Sequence, residues 1–201
     1  MEIINLYGAS GHGKVIKDII ESVGKQVGVF YDDFSTLSEI QSIPIRKTEE
    51  GPVCGPIIIS IGANNIRKRI AESLVAVFAT AIHLSAIVSK SATIGEGTVV
   101  MPGTIIQSET QIGRHCIINT GASVDHECRV ADYVHISPHA TLCGNVIVGE
   151  GSWIGAGSTV IPGVKIGRWC VVGAGATVVN DIPDNTTVVG TPAKPIKEKT
   201  E

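Results

Sequence analysis

The chain has 201 residues, enough for one or two domains with a real core. Its 16 Lys and Arg against 19 Asp and Glu give a formal net charge of −3, and only 17% of residues are charged, which argues against a nucleic-acid-coating or polybasic membrane protein. Apolar residues reach 43% while aromatics are 4% and glycines number 23, so the core is expected to be thin, regular layers of small and β-branched aliphatics.

The N-terminus, Met1 to Tyr7, lacks the basic segment of a signal peptide. No stretch approaches the roughly 18 apolar residues of a membrane helix. A cytoplasmic chain without a membrane span is the expectation. Ile3 to Tyr7 predicts a buried strand, Gly8-Ala9-Ser10-Gly11-His12-Gly13 a turn, and Lys14 to Ser22 an amphipathic helix with Val15, Ile16, Ile19 and Ile20 inward. Val27 to Tyr31 predicts a second strand ending in Asp32-Asp33, near the spacing of a ribose-binding acid. Ile57 to Gly62 predicts a later strand, followed by a helix through Ile66 to Ile70. Residues 1–80 therefore read as an α/β domain with a small parallel, Rossmann-like sheet. The glycine order is G-x-x-G-x-G, not the dinucleotide fingerprint G-x-G-x-x-G, which argues against NAD. Backbone N–H groups at a helix N-terminus still suit an anionic ligand.

From Ile94 onward, every sixth residue to Val178 is aliphatic, fifteen positions without an insertion. Two residues before each lies a small one, with twelve of the fifteen being Ala, Ser, Thr or Cys. A helical period of 3.6 cannot produce this pattern. It predicts a hexapeptide-repeat parallel β-helix over residues 81–201, with three hexads to a triangular coil. Ile-Gly or Val-Gly pairs recur at Gly95, Gly113, Gly149, Gly155, Gly167 and Gly173, where backbone freedom at sharp corners is the expected reason. The five cysteines, at 54, 116, 128, 143 and 170, form no C-x-x-C pair and read as reduced thiols. Cys116, Cys128 and Cys170 fall in small inward slots, which leaves Cys143 as the thiol expected at the surface.

Of six histidines, at 12, 83, 115, 126, 135 and 139, His126 stands out because Asp125 and Glu127 flank it at a corner. A neighbouring carboxylate can fix the tautomer of a histidine and raise its basicity, as a general base requires. A solvated corner histidine is the alternative reading.

The glycine loop, Asp32-Asp33-Phe34, Ser60-Ile61-Gly62-Ala63-Asn64-Asn65-Ile66-Arg67, His126-Glu127 and Gly190-Thr191-Pro192-Ala193-Lys194 together resemble the nucleotide-sugar acetyltransferases of the left-handed β-helix class. The resemblance is nearest to the UDP-4-amino-sugar N-acetyltransferases of the bacillosamine pathway, with sialic acid O-acetyltransferases as cousins. It implies a homotrimer that binds a nucleotide sugar on the α/β domain and acetyl-CoA between adjacent β-helices, with no metal. Carried onto this chain, it makes His126 the general base and Glu127 its orienting acid, with Asp125 a competitor for the second role. His135, Gly144, Ala156 and Ala174 would meet acetyl-CoA. Gly11, His12, Gly13, Asp32, Asp33 and Gly62 would hold the nucleotide sugar. His83, His115 and His139 receive no role beyond structure, and Lys194, Lys197 and Lys199 could meet CoA phosphates or form a solvated tail. The implied reaction is direct transfer to the amine of a UDP-4-amino-4,6-dideoxy sugar. O-acetylation is the alternative, and a metal lyase resembling γ-class carbonic anhydrases, recruiting His126, His135 and His139, is a lesser one.

Overall fold

Two periodicities divide the chain. In the computed structural model, which describes residues 2–198, the N-terminal part alternates strands and helices. These are β1 (Ile3–Tyr7), α1 (Gly11–Ser22), β2 (Gln26–Tyr31), β3 (Glu39–Ile40), β4 (Ile43–Arg46), β5 (Ile57–Ile59) and α2 (Asn64–Ser73). The sheet order is β3-β4-β2-β1-β5, so the chain reverses its direction of travel at β1, with parallel neighbours β2 and β5 on either side. Such a switch point opens a crevice at the carboxyl ends of the strands.

Three expectations are corrected here. Helix α1 begins at Gly11 rather than Lys14, so Gly11, His12 and Gly13 form its first turn. Ile16, Ile19 and Ile20 are fully buried, but Val15 faces solvent at 40% exposure, because the buried arc of a short helix one layer thick is only wide enough for the other three. Strand β5 ends at Ile59, since Ser60 turns away to donate its hydroxyl to the carbonyls of Tyr7 and Gly8. The β3–β4 hairpin at the sheet edge had no clear signal in the sequence.

From Ala81 onward the chain winds as a three-faced parallel solenoid of two-residue strands, about six coils tall. The first face runs from Ala81–Ile82 to Val171–Val172 and is closed by Thr186–Val189 and Lys194–Glu198. The second runs from Ile87–Val88 to Thr177–Val178, and the third from Thr93–Ile94 to Lys165–Ile166. Pairing is in register at a step of eighteen residues, for example Ile118 with Ile136 and Ile136 with Ile154. The large and small hexad residues fill one continuous core, including Cys116, Cys128 and Cys170.

Each hexad bends through one left-handed residue, at every sixth position from Gly97 to Gly175, and half of these fourteen are glycine. The glycines of the Ile-Gly pairs have ordinary φ angles and a different purpose from the one expected. A Cβ on Gly95, Gly149 or Gly155 would lie 2.4–2.7 Å from backbone atoms of the next coil, so they permit the coils to stack closely. The sharp bend comes two residues later.

The α/β unit sits on the first face. Ala81, Val99, Met101 and Ile117 point outward from the solenoid into one apolar cluster with Ile16, Ile19, Ile20 and Phe30. It covers the lower coils of that face, while Asn64 of α2 reaches as far as Gly151 and Ser152.

Candidate active site

The corner between the second and third faces carries Asp125, His126 and Glu127. Val124 and Cys128 are locked in the core on either side, so the three polar residues between them are forced outward. Glu127 takes the left-handed bend, φ +60°, which swings its carboxylate back along the corner. Its Oε2 lies 3.0 Å from Nδ1 of His126. Asp125 instead accepts the backbone N–H of His126 at 2.8 Å, so it caps the turn and leaves the ring to Glu127. Nδ1–H therefore points to the carboxylate, and Nε2 keeps a free lone pair. Both side chains are more than half exposed. Gly144, one coil along, lies directly under the ring, where a Cβ would come within 2.6 Å of Cε1 and Nε2.

The first face holds a different arrangement. His135, Ser137, Pro138, Trp153, Ala156 and Ala174 line an apolar groove of about 400 Å³. His135 stacks on Trp153 with ring centroids 5.5 Å apart, and the indole N–H donates to Ser137 Oγ at 2.7 Å. Its tautomer follows from Asn119. The Asn119 carbonyl oxygen accepts the Thr120 N–H, which turns the amide nitrogen toward Nε2 of His135 at 3.0 Å. That nitrogen must accept, so Nδ1 carries the proton, and it is buried with no partner among the described residues. Burial, then the Arg67 charge and His12, push the His135 pKa down to about 3, so the ring is a neutral donor across the physiological range.

On the side of the α/β crevice, His12 is near enough to His135 for its charge to be among the causes that lower the pKa of that ring. Nε2 of His12 is also buried without a partner, and burial together with Arg67 lowers the His12 pKa to about 4. Gly11 is exposed at the start of α1, whereas Gly13 is buried where a Cβ would strike the Gly8 carbonyl and Phe30, so it serves the close packing of helix on sheet. Asp32 accepts the backbone N–H groups of Ala9, Phe34 and Ser35. Asp33 accepts from the Tyr7 hydroxyl and from Thr48, and although burial pushes its pKa up, these bonds hold it below the usual carboxylate range. The two carboxylates thus shape the crevice walls, tying the glycine loop and the loop after β2 together. Gly62 forms the opposite wall, its carbonyl held by Arg67.

The structure therefore brings His135, Ala156 and Ala174 into one groove and His12 beside it, but places Gly144 with His126 on the corner opposite the first face. Asn119, Trp153, Asn64 and Arg67 were not singled out as site residues from the sequence. Six of their bonds join residues 16 to 88 positions apart, which no local pattern reveals. His115 is buried, stacked on Tyr133 and edge-on to Phe78, His83 bonds Ser85 within its own turn, and His139 is exposed over Gly121. His126, His135 and His139 occupy two different corners and a face, and among the described residues no group of three metal-ligating side chains forms. Cys54 is exposed, in addition to the half-buried Cys143, because the loop before β5 leaves it outside the core. Lys194 is exposed, and Lys199 lies outside the described residues.

Comparison with known proteins bears on this arrangement. Residues 3–74 match the PglD N-terminal domain, and residues 91–126 and 145–180 match the bacterial transferase hexapeptide repeat. The UDP-N-acetylbacillosamine N-acetyltransferase of Bacillus subtilis (strain 168) is 46% identical over 112 residues, which take in 50% of this chain and 52% of the relative, so the match spans about half of that curated protein. Among solved structures, the acetyltransferase domain of PglB from Neisseria gonorrhoeae FA1090 superposes with a TM-score of 0.92 at 37% identity, covering 98% of this chain and all of that one. A histidine-to-asparagine mutant of perosamine N-acetyltransferase from Caulobacter crescentus, in complex with CoA and GDP-perosamine, superposes with a TM-score of 0.90 at 35% identity, covering 98% of this chain and 97% of that one.

Proposed function

Because the chain belongs to the family of hexapeptide-repeat acetyltransferases that carry a PglD N-terminal domain, we propose that it transfers an acetyl group from acetyl-CoA to the amine of a nucleotide-linked sugar. The amine of a UDP-4-amino-4,6-dideoxy sugar is the acceptor this reading favours, and a GDP-linked amino sugar is the variant that the perosamine enzyme suggests. The observation that carries it is the His126–Glu127 pair, an exposed imidazole with one nitrogen held by a carboxylate and the other free.

In the proposed reaction Nε2 of His126 takes the proton as the sugar amine attacks the thioester carbonyl, and the tetrahedral intermediate collapses to the amide and CoA thiolate. Glu127 holds the tautomer and stabilises the imidazolium that forms. A backbone N–H at the groove is the donor offered to the developing oxyanion, with His135 lining the groove beside it. The pantetheine arm fits the apolar groove along Ala156 and Ala174, and the diphosphate fits the start of α1, with Gly11 and His12, against the Gly62 wall. Asp32 and Asp33 bound the nucleoside end of the crevice.

His126 stands on the corner opposite the face that carries the groove and the crevice. One copy's base therefore serves another copy's groove, and a cyclic trimer satisfies this with three equal sites. Mass spectrometry of products from acetyl-CoA and a panel of UDP-, GDP- and CMP-linked amino and hydroxy sugars tests the reaction. An acetyl gain on amino sugars alone is expected, and a gain on hydroxy sugars instead would transfer the reading to O-acetylation. Co-folding His126→Ala chains with Ala156→Trp chains, each inactive alone, tests the shared site. Recovered activity is expected from mixed trimers, and none would place the whole site in one chain.

A further inference from the structure

The segment from Ile61 to Arg67 leaves two buried polar side chains that take no part in the chemistry above, Asn64 at 8% exposure and Arg67 at 1%. Among the described residues, no carboxylate is a hydrogen-bond partner of Arg67. All five of its N–H donors are nonetheless satisfied. Nη1 donates to the carbonyls of Ile61 and Gly62 at 2.9 and 3.1 Å. Nε donates to His115 O at 2.7 Å, and Nη2 to Tyr133 O at 2.9 Å and to Asn64 Oδ1 at 2.8 Å. Asn64 in turn donates to the carbonyls of Gly151 and Ser152.

These bonds join four pieces of backbone. The Ile61–Gly62 loop is the crevice wall. His115 and Tyr133 lie on successive coils, and His135 follows Tyr133 by two residues. Ser152 immediately precedes Trp153, the ring on which His135 stacks. Burying a guanidinium without a counter-ion is costly, and an apolar side chain would pack helix α2 on the corner without that cost. A rigid five-donor fork does what an apolar residue cannot, since it sets the distance between the backbone segments it bridges.

We infer that Arg67 and Asn64 are positioning residues that fix the acceptor crevice of the α/β unit relative to the donor groove of the solenoid. The inference rests on the acetyl-transfer reading for its kinetic consequence, though not for its geometry. It is supported by charge as well, because the Arg67 guanidinium is among the causes that keep His12, His115 and His135 neutral.

Three proteins test it, wild type, Asn64→Ala and Arg67→Lys, with Asn64→Ala as the milder change should Arg67 variants fold poorly. The acceptor is the UDP- or GDP-linked amino sugar that the wild-type protein acetylates fastest. Asn64→Ala is expected to lower kcat/KM for that acceptor ten- to hundredfold, as a displacement of about 1 Å between reactants does. The affinity for CoA alone, and for UDP or GDP alone, is expected to stay within twofold, since each half-site lies wholly on one side of the seam. Arg67→Lys is expected to fail to rescue, because one ammonium cannot reach all the carbonyls. Unchanged kinetics with a lowered melting temperature would overturn the inference, as would full activity in Arg67→Lys. If the wild-type protein acetylates nothing, the acetyl-transfer reading falls separately, and hydrogen exchange decides the geometry. Faster exchange in both 60–64 and 133–137 of Asn64→Ala is expected, and no change in either would overturn the positioning role.

Discussion

The His126 corner and the seam where α2 meets the solenoid hold the same kind of side chain in opposite surroundings. At the corner an imidazole stands in solvent with a carboxylate 3.0 Å from one nitrogen. At the seam His12, His115 and His135 are held in the neutral form by burial and by Arg67, each with one ring nitrogen that has no partner. The difference teaches that a histidine's role here is set by what its second nitrogen can reach. The corner suits proton transfer, and the seam suits fixed donors and stacked rings that do not titrate.

The largest effect should come from the corner. His126→Ala is expected to lower kcat by about 10² to 10⁴, the usual worth of a general base, while CoA binding changes little. Steady-state kinetics with the acceptor panel checks it, and a loss under tenfold would erase the functional contrast between the two regions.

The seam should instead show itself in stability against pH. Unfolded histidines titrate near 6.5, while His12 and His115 are held at about 4 and His135 at about 3. Between pH 6.5 and 4 the unfolded chain therefore binds more protons than the folded one, so stability rises with pH across this window and is lost as pH falls. The loss between pH 7 and pH 5 is expected to be on the order of several kcal/mol, read as a fall in the urea midpoint. A midpoint independent of pH over that range would mean that the seam histidines are accessible to protons, and the comparison would fail.

Two glycines sharpen the contrast further. The Cβ of Gly97→Ala would meet Nδ1 of His115 at 2.2 Å, at φ +70° and inside the buried stack. It is expected to cost about 2–3 kcal/mol of stability, measured by denaturant unfolding. The Cβ of Gly144→Ala would press on His126 at 2.6 Å, but that ring is exposed and can swing away. Its melting temperature should hardly move while kcat falls about tenfold through a displaced base. Equal effects of the two on stability would show the corner to be as rigid as the seam.

The two regions were also unequally legible. The solenoid could be read from sequence because its contacts repeat every six residues along the chain and every eighteen between coils, so periodicity alone placed Cys116, Val124 and Cys128 inside and drove His126 out. The His126–Glu127 pair was legible because its partners are adjacent in sequence. The purpose of the Ile-Gly glycines is not legible, since a close approach of the next coil and a left-handed bend leave the same letter in the sequence. The seam was hidden for a stronger reason. Arg67 meets His115 and Tyr133 across 48 and 66 residues, and the orientation of His135 depends on an amide flip at Asn119, neither of which leaves a local pattern.

The smallest expected effect tests whether exposure alone confers function on a histidine. His139 is exposed at another corner, takes the left-handed bend at φ 56° and rests over Gly121, but among the described residues it makes no hydrogen bond or ion pair with a carboxylate. No such partner fixes its tautomer. His139→Asn keeps a residue that tolerates the left-handed region, so kcat and melting temperature should both stay near the wild-type values, kcat within about twofold. A tenfold fall in kcat with an unchanged fold would show that a histidine on this scaffold can act without a carboxylate partner, and the importance attached to Glu127 would pass to the corner geometry itself.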